Sequence, residues 1–216
     1  MSDYKDLFIS LLKNGNAIAE ILLRVFESKL EVPAGALKSL HQLKDPSNDF
    51  LRVLRYPGTP MEETKSQTNF PPHRDAVSIA MLFTWVGGLQ IMEPGWETNG
   101  NGYENESTKG GDDGWRWVKP VPSHVIVNLG DALSILTNNV LKSGFHRVIT
   151  APGAHKPIDK YSVLLGYRPA LSTPMTPFTS AIIPPLTDEQ KKAPVVTCEE
   201  WGAQRVHKVY TVLENR

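Results

Sequence analysis

The hydrophobic pattern changes period part-way along the chain. Before residue 50, apolar residues recur three and four apart: Leu7, Leu11, Ile18, Ile21, Leu22, Val25 and Phe26 keep to one face, which predicts an amphipathic helix with Gly15 as an interruption. Pro33-Ala34-Gly35 should end it, and Leu37, Leu40 and Leu43 predict a second short helix. From Phe50 onward the chain breaks into short β-branched and apolar runs separated by Gly, Pro and Asn, the pattern of many strands joined by tight turns. Segments near 51–56, 77–84, 88–92, 116–120, 124–128, 132–136, 145–150 and 161–167 are read as strands, about enough for two packed sheets of a jelly roll. Two stretches fit neither pattern. Residues 97–114 carry five glycines and one large apolar residue, Tyr103, and predict a mobile loop in which Asp112 and Asp113 are solvated rather than metal ligands. Residues 172–194, rich in proline, predict an extended segment wrapping the sheets. Thr197 and Glu200 match a capping box and predict a C-terminal helix over 198–213.

Composition narrows the class. A chain of 216 residues that is 40% hydrophobic can bury one sizeable core, so one domain is expected: a helical segment over 1–48, a β core over 50–170 and a C-terminal wrap over 171–216. Lys plus Arg and Asp plus Glu are equal at 23, which gives no reason to expect nucleic acid or an anionic membrane as partner. The single Cys198 forms no internal disulfide, the N-terminus is acidic where a signal peptide is basic, and no apolar run approaches a membrane span. A soluble cytoplasmic protein is the expectation.

The chemistry lies in His73-Arg74-Asp75 and a distant His146. Two imidazoles and one carboxylate are the set that holds a non-haem Fe(II) on one face and leaves the remaining positions open. On an extended backbone, His-x-Asp turns both side chains the same way, so the third ligand must come from another strand; Gly144 to Ile149 offers one. His41, His124, His155 and His207 are read as structural or exposed, and Asp131 after Gly130 as a turn former.

The order of parts around these ligands carries more weight than the triplet. Leu51-Arg52-Val53-Leu54-Arg55-Tyr56-Pro57 precedes them, and Val86 to Ile91, Trp117 to Pro120 and Val125 to Asp131 follow, with Tyr161-Ser162-Val163, Arg168-Pro169 and Thr197 to Trp201 later on. This succession, from about residue 15 to the end, resembles the isopenicillin N synthase-like branch of the Fe(II)/2-oxoglutarate-dependent dioxygenases, in particular its fungal-type members. The resemblance implies a double-stranded β-helix and a metal triad of His73, Asp75 and His146. It also implies use of 2-oxoglutarate and O2, with oxidative decarboxylation to succinate and CO2 supplying two electrons and a small-molecule substrate, expected to belong to secondary metabolism, supplying the other two. In the family an arginine and a serine two residues apart hold the far carboxylate of the cosubstrate, and a tyrosine reaches it; the matching positions are Lys160, Ser162 and Tyr56. Lysine there is a departure, because an ammonium lacks the planar fork that makes two parallel hydrogen bonds. The alternative readings are a solvated strand-end lysine for Lys160 and a core tyrosine with a satisfied hydroxyl for Tyr56.

A second departure is the roughly 50 residues before the first strand, fewer than such relatives carry. An open mouth for a bulky substrate, a homo-oligomer covering that mouth, or a shortened and inefficient relative would each account for it. Three functions stay open from the residues: a 2-oxoglutarate-dependent oxygenase performing hydroxylation, desaturation or ring formation, an oxidase drawing all four electrons from its substrate, and a non-catalytic binding protein on the same scaffold.

Overall fold

Two four-stranded antiparallel sheets face each other in a computed structural model that describes residues 4–64, 66–94 and 114–205. Helix α1 (Lys5–Leu30) and the single-turn α2 (Ala36–Ser39) come first, then β1 (Phe50–Tyr56), β2 (Thr68–His73), β3 (Ile79–Thr84), β4 (Leu89–Met92), β5 (Trp115–Trp117) and β6 (Ile126–Leu129). Helix α3 (Asp131–Leu136), β7 (His146–Ile149), β8 (Lys160–Tyr167) and a helix, α4, over 198–205 complete the order. The sheet orders are β1-β8-β3-β6 and β2-β7-β4-β5. Consecutive strands β1 and β2, β2 and β3, and β3 and β4 lie in different sheets, the alternation of a double-stranded β-helix. No helix among the described residues is long and apolar enough to cross a membrane.

The first sheet has two unlike faces. On its outer face Ile79, Met81, Leu165 and Tyr167 are fully or almost fully buried against Ala19, Leu23 and Leu30 of α1, Leu37 of α2 and Leu133 and Leu136 of α3. Each such side chain contributes about 1.5–3 kcal/mol by leaving water, so this layer anchors the sheet. Gly15 makes the fit possible: a Cβ there would come within 2.3 Å of the Tyr167 hydroxyl and 2.5 Å of Leu165. The Tyr167 hydroxyl donates to the Leu12 carbonyl at 3.2 Å. On the inner face Ala80, Thr84, Lys160 and Ser162 are buried, whereas Leu54, Leu82, Ile126 and Leu164 are only half-buried, so a cleft remains along them.

Three expectations are corrected. Residues 132–136 are helical, not a strand: Ala132, Leu133 and Leu136 are buried one turn apart, a helical spacing that a five-residue apolar run does not distinguish from a strand. Strand β2 is absent from the expected set because it contains Pro71 and Pro72, which donate nothing to a ladder; it is tolerated as an edge strand with register shifts between Thr68 and Phe70 and between Phe70 and His73. The buried face of α1 is only partly the predicted one, for Leu11, Leu22 and Phe26 pack against the core but four of the predicted residues do not. Gly15, Asn16, Ala19, Leu23, Glu27 and Leu30 are the buried residues of the helix, whereas Leu7, Ile18, Ile21 and Val25 are exposed. Glu27 is buried because its carboxylate accepts from the Gly35 and Lys38 amides, both at 2.8 Å, and so caps the start of α2.

The proline-rich stretch runs extended: between β8 and α4 the regular structure is a 3-10 turn at Gln190–Lys192 and a bridge from Pro174 to Thr197. The capping box forms as predicted, the Thr197 amide donating to the Glu200 carboxylate at 2.8 Å and the Glu200 amide to the Thr197 hydroxyl at 3.3 Å. The predicted mobile loop, with Asp112 and Asp113, lies outside the described residues except for Gly114, as do His207 and the predicted end of the last helix.

Candidate metal centre

His73 closes β2 and pairs across the ladder with His146, the first residue of β7, which brings the two imidazoles to 4.1 Å between centroids. Asp75 is not on the strand. It lies just beyond the end of β2, two residues after His73, and its carboxylate comes to the same side as the His73 ring, 3.4 Å from Nε2. This segment is pinned by its backbone, for the Asp131 amide donates to the Asp75 carbonyl at 2.9 Å and the Arg168 guanidinium to the Ala76 carbonyl at 2.7 Å. Gly130 permits this approach, since a Cβ there would lie 2.1 Å from the Val77 carbonyl oxygen and 2.7 Å from that of Asp75.

One ligand atom from each of His73, Asp75 and His146 lies within 4.8 Å of the others. Both histidines are oriented by their other nitrogen: Nδ1 of His73 donates to the Pro71 carbonyl at 2.8 Å, and Nδ1 of His146 to the Gly144 carbonyl at 3.1 Å. Nε2 of each ring is left to face Asp75, at 3.4 Å from Oδ1 and 3.7 Å from Oδ2 respectively. A backbone carbonyl fixing the tautomer is the usual outer support of a metal-binding imidazole, so the donor set fits a divalent ion. Burial alone would raise the Asp75 carboxyl, but the His73 hydrogen bond, the charges of both histidines and the Asn128 amide outweigh it and hold it down to about 2. Burial also lowers the His146 pKa, against the pull of Asp75. Around neutral pH the triad is one carboxylate and a His146 that burial keeps toward its neutral form, the form in which it binds metal.

Asn128 is a residue that sequence reasoning misses. Its amide donates to Asp75 Oδ2 at 2.9 Å, and the available cue is the alternation in β6, where an amide sits at an inward position beside apolar residues. Asp131, read as a turn former, opens α3 and pairs with Arg205. His41 is buried between the Leu37 carbonyl and Ser78, and desolvation lowers its pKa to about 4; His124 is exposed, and neither approaches the triad.

The three remaining predicted residues lie on the inner face of the first sheet. Register pairs Tyr56 with Lys160 and Leu54 with Ser162, and Ser162 with Thr84, so these side chains share a face. Lys160 is 5% exposed and its ammonium donates to the Gly87 carbonyl at 3.1 Å, which rules out the solvated strand-end reading. Burial brings its pKa down to about 8. The Ser162 hydroxyl is buried and donates to Thr84 Oγ1 at 3.3 Å, and burial raises the Tyr56 hydroxyl pKa. The Gly87 amide in turn donates to Nδ1 of His155, which makes His155 a support of the loop that Lys160 touches.

Residues 47–169 match the profile of the 2OG-Fe(II) oxygenase superfamily. The chain is 44% identical to a 2-oxoglutarate-dependent dioxygenase of Aspergillus fumigatus over 95% of its own length and 54% of that protein's. Among solved structures it resembles a full-length Neurospora crassa protein in complex with alpha-KG, at TM-score 0.73 and 22% identity, covering 94% of this chain and 57% of that one. It also resembles JOX2 in complex with 2OG, Fe and JA, at TM-score 0.67 and 25% identity, covering 92% and 51%. The chain thus spans about half the length of these relatives.

Proposed function

The chain belongs to the 2OG-Fe(II) oxygenase superfamily, and from that premise we propose that it binds one Fe(II) through His73, Asp75 and His146 and oxidises a small organic molecule with 2-oxoglutarate as cosubstrate. The observation that carries this reading is the convergence of three donor atoms within 4.8 Å, each oriented by a separate backbone or amide contact. When bound, Fe(II) with 2-oxoglutarate and O2 supplies a two-electron oxidant, with decarboxylation to succinate and CO2.

The chain's own residues then have separate tasks. Asp75 and the Nε2 atoms of His73 and His146 would hold the ion, a donor set that leaves further positions on it for ligands. Lys160 binds the far carboxylate of the cosubstrate: one of its three N–H groups is held by Gly87, and two remain for the ligand. Ser162 turns its hydroxyl from Thr84 to the same carboxylate, and Tyr56, across the ladder from Lys160, closes that end of the cleft. The half-buried Leu54, Leu82, Ile126 and Leu164 exclude water from the reacting side. We assign the chain to the isopenicillin N synthase-like branch on its Leu51–Pro57 segment and the Tyr161-Ser162-Val163 and Arg168-Pro169 order, and read its product as one of hydroxylation, desaturation or ring formation in secondary metabolism. The oxidase reading rests only on the lysine departure, and a buried ammonium at that position is a sufficient carboxylate site.

The test is uncoupled turnover. Purified protein with Fe(II), ascorbate and 2-oxoglutarate should form succinate slowly without added substrate, and the Asp75→Ala variant should form none. Equal rates in the two would overturn the proposal.

A further inference from the structure

The inner face of the first sheet holds a second cation besides Lys160. Alternation along β1 places Phe50, Arg52, Leu54 and Tyr56 on the face that looks into the cleft, because their partners Gly166, Leu164, Ser162 and Lys160 share it. Gly166 confirms the side: a Cβ there would lie 2.4 Å from the Phe50 ring. The row containing Arg52 continues through Leu164, Leu82 and Ile126 and is otherwise apolar. These three are only partly buried, while Leu165 and Met81 on the outer face of the same strands are at 0% exposure, so the row lines open space.

Arg52 is exposed and makes no ion pair among the described residues. Its guanidinium lies over the Phe50 ring, 4.3 Å from the centroid, and Arg168 approaches the same ring at 5.6 Å while holding the Ala76 carbonyl beside Asp75. The nearby acid, Asp49, is engaged by the Arg168 amide at 2.6 Å. Stacking on an aromatic face fixes the plane of a guanidinium and leaves its N–H edge free, which is the geometry that accepts a carboxylate through two parallel hydrogen bonds.

We propose that Arg52 recognises an anionic group on the substrate, so that the substrate is a small molecule with an apolar body and a terminal carboxylate. This rests on the oxygenase reading above and names the substrate class for that site. Arg52 and Lys160 take different anions. In register they are four residues apart along β1, or about 13 Å, too far for one short dicarboxylate tail to occupy both. Across the sheet, β1 lies three strand spacings, roughly 14 Å, from β6, whose Asn128 holds Asp75. A ligand whose carboxylate sits at Arg52 therefore lays its apolar body along Leu164 and Leu82 and presents its far end to the triad.

The test uses 3-phenylpropionate and its neutral amide as probes, titrated by NMR against the anaerobic Fe(II) protein, with and without saturating 2-oxoglutarate. The parent should bind the acid at least about tenfold more tightly than the amide with 2-oxoglutarate present. Arg52→Gln should lose that preference, Arg52→Lys should keep part of it, and all three proteins should bind 2-oxoglutarate with equal affinity. No preference for the acid in the parent, or the same preference in Arg52→Gln, would overturn the proposal. Failure of the parent to bind 2-oxoglutarate would instead count against the oxygenase reading, and the probe titrations without 2-oxoglutarate would still decide the role of Arg52.

Discussion

Replacing Lys160 by Ala removes a buried ammonium from the inner face of the first sheet. Its bond to the cosubstrate carboxylate is charge-assisted and worth about 1.5–3 kcal/mol, so 2-oxoglutarate affinity should fall about ten- to a hundredfold. The truncation also leaves the Gly87 carbonyl without its donor, a further cost to stability of about 1–3 kcal/mol that a melting curve reads separately. Metal binding should be unchanged, since Lys160 touches none of the triad. The pH dependence has a definite sign. Burial lowers the Lys160 pKa to about 8, so below that pH the ammonium is present before the ligand arrives and affinity is flat. Above it, binding must recapture a proton, and affinity should fall by up to about tenfold per pH unit. In Lys160→Arg the fall should vanish, because a guanidinium stays charged throughout. The assay is anaerobic titration of the Fe(II) protein with 2-oxoglutarate, followed by its visible charge-transfer absorption from about pH 6.5 to about 9.5, which brackets the shifted lysine. Equal affinity for the Ala variant and the parent, or a flat pH profile in the parent, would refute the assignment of Lys160 to the cosubstrate.

Three other substitutions test separate parts of the structure. Asn128→Ala removes the amide that orients Asp75 and should weaken Fe(II) binding about ten- to a hundredfold in a competition titration with a chelator, while leaving the fold intact by circular dichroism. Gly15→Ala forces a methyl against Tyr167 and Leu165, which are fully packed, and should cost about 1–3 kcal/mol in a denaturant titration; no loss would mean that α1 is not seated as described. Thr197→Ala removes the hydroxyl of the capping box and should cost about 0.5–2 kcal/mol by the same measurement, with Thr197→Ser restoring most of it.

The site is more legible in the sequence than the scaffold around it. Ligand identity depends on donor chemistry, which His73, Asp75 and His146 display as residue types, and the inward period of β8 already places Lys160 and Ser162 on one face. Supporting contacts are set by the fold. Asn128 meets Asp75 only because β6 lies at one edge of the first sheet, a fact of strand order that no local pattern encodes. Strand β2 is hidden by its prolines, which a ladder accepts only at an edge, and residues 132–136 mislead because burial from two sides gives the same apolar run in helix and strand. Helix α1 is apolar over more than half its circumference, so periodicity establishes the helix but not which face meets the sheet; the small Gly15 and Ala19 decide that by admitting Tyr167 and Leu165.

The central claim is that His73, Asp75 and His146 form one Fe(II) site. Elemental analysis of anaerobically reconstituted protein should give about one iron per chain for the parent and none retained after desalting for His146→Ala, which loses one of three protein ligands. Iron retained at parental stoichiometry by His146→Ala would contradict the account.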